Sequence, residues 1–161
     1  MVTAERIEKT TLKNLLHNED YIRKVLPFLK SEYFDDRHER IVFTEIRKFV
    51  DQYNKRPTKE TLQIDLGKRK DLNEDEFKKI VDLISTLNKE EIDLDWLVNT
   101  TEKFCKDRAI HNAVMNGIHI LDGKDNKQTP EAIPEILRDA LSVSFDNAVG
   151  HDYLLDIDKR F

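Results

Sequence analysis

The sequence predicts an all-α fold: a globular helical head, then a long antiparallel αα-hairpin and a C-terminal linker segment. Three observations carry that expectation. Apolar residues recur at spacings of three and four from end to end, no stretch alternates cleanly over the length of a strand, and only four glycines and four prolines interrupt the pattern.

The first helix is expected from about Thr3 to Leu16, with Ile7, Leu12, Leu15 and Leu16 on its apolar side. Asn18 can accept a backbone N–H and so suits the cap of a second helix through Tyr21, Ile22, Val25 and Leu26. Pro27 interrupts that helix, because its ring and missing N–H oppose continuation. Asp35 or Asp36 then caps a longer helix along Ile41, Val42, Ile46, Phe49 and Val50. Pro57 and Thr58 mark the next start, Leu62 and Leu66 lie four apart on it, and Gly67 suits the C′ position just past its end. Asn73 to Glu76 reads as a capping box ahead of Phe77, Ile80, Val81, Ile84 and Leu87.

From Asp93 the pattern supports one uninterrupted helix of about 28 residues, far above the usual mean of 11 or 12, with Gly123 ending it. After the polar turn GKDNKQ, Thr129 and Pro130 open a further helix to about Asp146, with Ile133, Ile136, Leu137, Leu141 and Val143 or Phe145 apolar. Pro134 lies too deep for a simple start and implies a distorted first turn. Two helices joined by a short polar turn form an antiparallel hairpin. The expected divisions are therefore a head over 1–92, a hairpin over 93–146 and a linker beginning at 147–161.

At about 100° per residue, Leu97, Phe104, Ile110, Val114, Met115, Ile118 and Leu121 fall on one side of the long helix, and that side is expected to hold the returning helix. Ala109, Ala113 and Ile120 fall roughly opposite and are expected to remain free for a neighbour. The candidate self-association or partner interface is accordingly Arg108, Ala109, Ala113, Asn116, Ile120, Leu137 and Leu141. Tyr153, Leu154, Ile157 and Phe161 form a second apolar set at helical spacing near the C-terminus.

Charged residues make up 37% of the chain and mean hydropathy is −0.65, which favours slim helices over a thick core. The net charge of −5 disfavours nucleic-acid binding by the whole surface. Its distribution is uneven: residues 71–102 hold ten acidic and three basic side chains, whereas Lys55-Arg56 and Lys68-Arg69-Lys70 are small basic clusters. Those clusters lack the interleaved aromatics of a single-strand platform. Neither an apolar run of membrane length nor the h-region of a signal peptide is present, so a cytoplasmic protein is expected. One cysteine, Cys105, allows no internal disulfide or thiolate cluster and is expected to be buried or half-buried.

The chemistry-bearing residues do not assemble a catalytic pattern. His17, His38, His111, His119 and His151 include no H-x-x-x-H pair, and His111 is expected to be a core or interface residue. An HD-type hydrolase needs an upstream histidine, a His-Asp pair and a later aspartate. His151-Asp152 comes near the end, and Asp156 and Asp158 follow too closely to arrive on an independent helix, so a capping role for Asp152 is the plainer expectation. A phosphate loop needs G-x-x-x-x-G-K-[ST]; Gly123-Lys124 has Ile118 and Asp125 at the required glycine and hydroxyl positions, and Gly67-Lys68 has Leu62 and Arg69. No metal, cofactor or catalytic residue is therefore expected in this segment.

The order of elements, read with its wording, resembles the N-terminal domain of DnaB-family replicative helicases, nearest their T4-type phage branch. TLKNLLHNEDYIRKVLPFL is similar to the family's opening helix pair, and Phe34, Arg40, Val42 and Phe43 fit its F…R-x-[IV]-F spacing. Pro57, Thr58 and Leu62 match its P-T-x-x-x-L start, Asp107-Arg108-Ala109-Ile110 resembles its entry to the hairpin, and EILRDALSVSFD resembles its returning helix. Glu39 stands where many relatives carry histidine, with His38 displaced by one position.

The resemblance implies an N-terminal domain that helps build a ring, packs its hairpins against neighbouring subunits as a dimer or trimer of dimers, and offers a surface to primase or a helicase loader. It also implies a separate RecA-like motor domain that uses ATP and Mg, a hexamer encircling DNA in the full-length protein, and a linker whose residues Tyr153, Leu154, Ile157 and Phe161 dock on the adjacent motor. A phage-encoded chain of this kind would act in its host's cytoplasm. The alternatives are a small HD-like metal-dependent hydrolase and a stand-alone helical adaptor.

Overall fold

The computed structural model of the protein describes residues 6–145, and every regular element among them is helical. Two compact units divide between Thr101 and Glu102, inside the long helix.

The head begins with α1 (Ile7–His17), whose residues Thr10 to Leu16 are all buried. This is the head's inner helix, and it packs against α2 (Glu19–Val25) and α3 (Arg37–Tyr53). Three of its polar side chains find partners: Lys13 Nζ reaches Glu90 at 3.2 Å, Asn14 Nδ2 donates to Thr10 O and to Glu90, and His17 Nε2 lies 2.8 Å from Leu87 O. Glu90 and Leu87 thereby fasten the chain after α5 onto α1.

Caps behave as the local sequence implies. Asn18 Oδ1 accepts from Tyr21 N at 3.0 Å, and Asp36, rather than Asp35, accepts from Glu39 N at 3.0 Å. After α2 the chain makes two short 3₁₀ turns, Leu26–Phe28 around Pro27 and Ser31–Tyr33. Helix α3 ends at Asn54, whose φ of 56° is the left-handed conformation that asparagine tolerates better than most side chains. Helix α4 (Lys59–Gly67) starts on a reciprocal box between Thr58 and Thr61. Asn73 caps α5 (Glu74–Ser85), with Oδ1 2.7 Å from Glu76 N.

Gly67 departs from the expectation. It is the last residue of α4, not the residue beyond it, and its φ is not positive. It sits where α4 and α5 meet, and a Cβ there would make an ordinary contact, 3.7 Å from the Phe77 ring, so neither φ nor space requires glycine at this position.

The head's core is Leu12, Leu15, Tyr21, Val25, Tyr33, Phe34, Val42, Phe43, Ile46, Leu62, Leu66, Ile80, Ile84 and Leu87, each at most 2% exposed. Phe34 and Phe43 stack with centroids 5.0 Å apart. Fully burying one such aliphatic or aromatic side chain contributes about 1.5–3 kcal/mol.

Helix α6 (Leu94–Leu121) is a single helix of 28 residues, started by Asp93 Oδ1 accepting from Trp96 N at 3.1 Å. Its opening residues count with the head: Leu97 and Thr101 are fully buried there. The Thr101 hydroxyl donates to Leu97 O at 2.8 Å, which leaves the Tyr21 hydroxyl, 2.6 Å away, to donate to Thr101.

The second unit contains the rest of α6, a 3₁₀ turn over Pro130–Ala132, and α7 (Ile133–Leu141). Gly123, at φ 76°, ends α6 with Gly123 N on Ile120 O and Lys124 N on His119 O, the paired bonds of a Schellman closure. The distortion expected from Pro134 is taken up by the 3₁₀ turn, which places Pro134 in the first turn of α7, where no N–H is needed. Helix α7 stops at Leu141, earlier than expected. Ser142 Oγ donates to Asp139 O, and Ser142, Val143 and Ser144 are weak helix formers.

Candidate interaction surfaces

Two sets of contacts show how the hairpin closes. A Cβ on Gly117 would lie 3.6 Å from Ile133 Cγ2, and at the other end Glu102 Oε2 accepts from Phe145 N at 3.0 Å and from Ser144 Oγ at 3.3 Å. Position falls along α6 as it rises along the returning chain, so the two run antiparallel. Lys106 approaches the same Glu102 carboxylate at 3.7 Å. Glu102 is thus a clasp at the base of the hairpin. No local sequence signal marks it, because its partners are more than forty residues away.

The faces of α6 are the reverse of those expected. Ala109, Ala113 and Ile120 are at most 9% exposed and Gly117 is buried, whereas Ile110, Val114, Met115, Ile118 and Leu121 are 38–68% exposed. The physical reason is proximity. Alanine and glycine leave little side chain between backbones, so a nine-residue α7 can come close over that side, and the bulkier side is left uncovered. The side chosen as the packing side is buried at Leu97 and Phe104 but open from Ile110 onward.

Arg108 and Asn116 are half-buried, and so is Leu137 on α7, while Leu141 is 70% exposed. Of the expected interface set, then, Leu141 alone is freely presented, and the residues expected to be interior supply most of the exposed apolar surface. The open stripe covers an arc of about 140° at 100° per residue and includes His111, which is exposed and not a core histidine. Tyr153, Leu154, Ile157 and Phe161 lie outside the described residues, as do His151 and Asp152.

Cys105 is fully buried, and burial followed by the negative charge of Glu102 pushes its thiol up to about 12. A thiol held protonated is not a nucleophile. Among the described residues no group of three or more His, Cys, Asp or Glu could hold a metal ion.

The basic clusters of the head are partly consumed by acidic partners. Arg56 donates from Nε to Glu19 at 2.9 Å and from Nη1 to Leu16 O at 2.7 Å. Arg69 grips Asp71 with two bonds, at 2.9 and 2.6 Å, and reaches Glu45 at 3.2 Å; this fork holds the Asp71 carboxyl down at about 2. Arg37 lowers Glu76 in the same way through a 2.9 Å bond. Glu39 shifts oppositely: burial raises its pKa, opposed by Arg6, which donates to one carboxylate oxygen while the other has no partner among the described residues.

The described residues thus define an all-α chain of two units, with a broad apolar stripe facing outward from a hairpin. The sequence comparisons narrow the class. Residues 2–93 match the family model described as the DnaB-like helicase N terminal domain, and the chain belongs to that family. It is also 36% identical, over 158 residues and 93% of its length, to the DnaB-like replicative helicase of Enterobacteria phage T4. The alignment spans about a third of that relative, 33% of its length. No helix among the described residues is long and apolar enough to cross a membrane.

Proposed function

We propose that this chain is the assembly module of a hexameric replicative DNA helicase, joining copies through its hairpin and offering a surface to primase or a helicase loader. The observation that carries the proposal is the open stripe Ile110, Val114, Met115, Ile118 and Leu121, which no Asp, Glu, Lys or Arg interrupts between its first and last residues. ATP hydrolysis with Mg and movement along DNA would belong to a RecA-like motor, reached through a linker containing Tyr153, Leu154, Ile157 and Phe161, within the host cytoplasm.

Magnitudes favour assembly through several weak contacts. If roughly half of each stripe side chain is newly buried, the five together contribute on the order of 4–7 kcal/mol. That is comparable with the low end of the cost of association, about 4–15 kcal/mol. A single hairpin pair should therefore form and dissociate with concentration, and closure of a ring would add the contacts that hold it.

Sedimentation velocity over a wide concentration range tests this. The chain should self-associate, and Val114→Glu with Ile118→Glu should hold it monomeric while its circular dichroism stays unchanged, since both side chains point outward. A double variant that associates as well as the parent would remove the stripe from the interface.

A further inference from the structure

A groove on the head has a different chemistry. The Pro27–Ser31 segment and the Phe43–Gln52 side of α3 enclose an open cavity of about 800 Å³, and a second of about 610 Å³ adjoins it, sharing Pro27, Arg47 and Asp51. Pro27 and Val50 give it accessible apolar surface, backed by the buried side chains of Ile22, Leu26, Leu29 and Phe43. Six cationic residues line the two cavities against two acidic ones, Glu19 and Asp51, in a chain whose net charge is −5.

The cations are not equally available. Arg23 and Arg56 share Glu19, each at 2.9 Å. Arg47 is locked in place by donating to Leu26 O and Leu29 O and by lying 5.8 Å above the Phe43 ring, so its charge is met by carbonyls and not by a carboxylate. Lys30, Lys48 and Lys55 are exposed on the rim. A fixed central cation, three exposed rim cations and an apolar floor complement a ligand with carboxylates along one edge and apolar side chains along the other.

We propose that this groove takes up an acidic amphipathic segment of a partner protein, apolar side chains on the floor and carboxylates on Lys30, Lys48 and Lys55. Single-stranded nucleic acid fits less well. Phe43 is only 1% exposed, so the groove offers no aromatic face for base stacking. From Thr44 to Tyr53, α3 is roughly 14 Å long at 1.5 Å per residue, which a helical segment of about ten residues would match. The inference deepens the proposed role, since it rests on the chain being an interaction module and states which polypeptide chemistry it would accept. It uses no residue of the hairpin stripe, so sedimentation of the Val114/Ile118 variant and peptide binding at the groove can fail separately.

The experiment is fluorescence anisotropy with four labelled probes: a helix-forming synthetic peptide with Glu and Asp on one face and Leu and Phe on the other, the same composition scrambled, a version with Lys replacing the acids, and oligothymidylate. The acidic amphipathic peptide should bind best, and the triple change Lys30→Glu, Lys48→Glu and Lys55→Glu should weaken it by about tenfold or more, as expected for three modest surface pairs lost and reversed. Asp51→Lys should tighten it by about threefold, a gain that misfolding could not produce. Equal binding of the scrambled peptide, equal binding by the triple variant, no binding of the acidic peptide, or preference for oligothymidylate would each overturn the proposal.

Discussion

Replacing Gly117 by alanine should stabilise the hairpin, although Gly117 is buried against α7. In an α-helix, glycine costs about 1 kcal/mol relative to alanine, because its backbone has more freedom to lose. Against that gain stands any clash of the new methyl. The Cβ would lie 3.6 Å from Ile133 Cγ2, an ordinary van der Waals contact that needs no displacement of α7. The expected net change is a gain of about 0.5–1 kcal/mol, or roughly 1–4 °C in melting temperature for a chain of this size. Gly117→Leu should reverse the sign, since its branch would have to occupy the space of Ile133, and overpacking costs about 1–3 kcal/mol. Thermal melting followed by circular dichroism at one fixed protein concentration reads both changes, the fixed concentration being needed because association also shifts the midpoint. Loss of stability in Gly117→Ala, or indifference to Gly117→Leu, would refute the assignment of this face to the interior of the hairpin.

Two further outcomes follow from buried and paired titratable groups. Cys105 should remain unreactive toward a thiol reagent at pH 8 in the folded chain and react fully in guanidinium, because burial holds its thiol at about 12. Rapid labelling under native conditions would place it at the surface. Acid titration of stability should carry two opposite contributions. Asp71, held at about 2 against an ordinary 3.8, contributes stability above its ordinary value that is lost as pH falls toward 2, and Asp71→Asn should abolish that loss. Glu39 is raised, so its ionised form burdens the fold above its folded pKa, and the burden is shed as pH falls through that value toward its ordinary 4.5. Glu39→Gln should therefore be the more stable protein at neutral pH, with the gap closing in acid; urea titrations across that window check it.

Much of this architecture was legible before any coordinates. Asn18, Asp36, Thr58, Asn73 and Asp93 each accept a backbone N–H three residues ahead, and such contacts depend on local sequence alone. Gly123 terminates α6 for an equally local reason, its freedom to adopt positive φ. The period of apolar residues sufficed for helix type and for the 28-residue length of α6.

The faces of α6 were another matter, because a helix with apolar residues on two sides does not state which one a partner will cover. That choice depended on how closely α7 could approach Ala113 and Gly117, a question of shape between segments far apart in the chain. Arg56 and Arg69 looked like free charges in sequence, yet Glu19 and Glu45, tens of residues earlier, occupy them. The groove beside α3 exists only where the Pro27–Ser31 turn meets that helix. Helices and their ends come from interactions a few residues long, and so the sequence by itself determines them. Which surfaces stay open is decided by contacts between distant segments, and only the tertiary structure settles those.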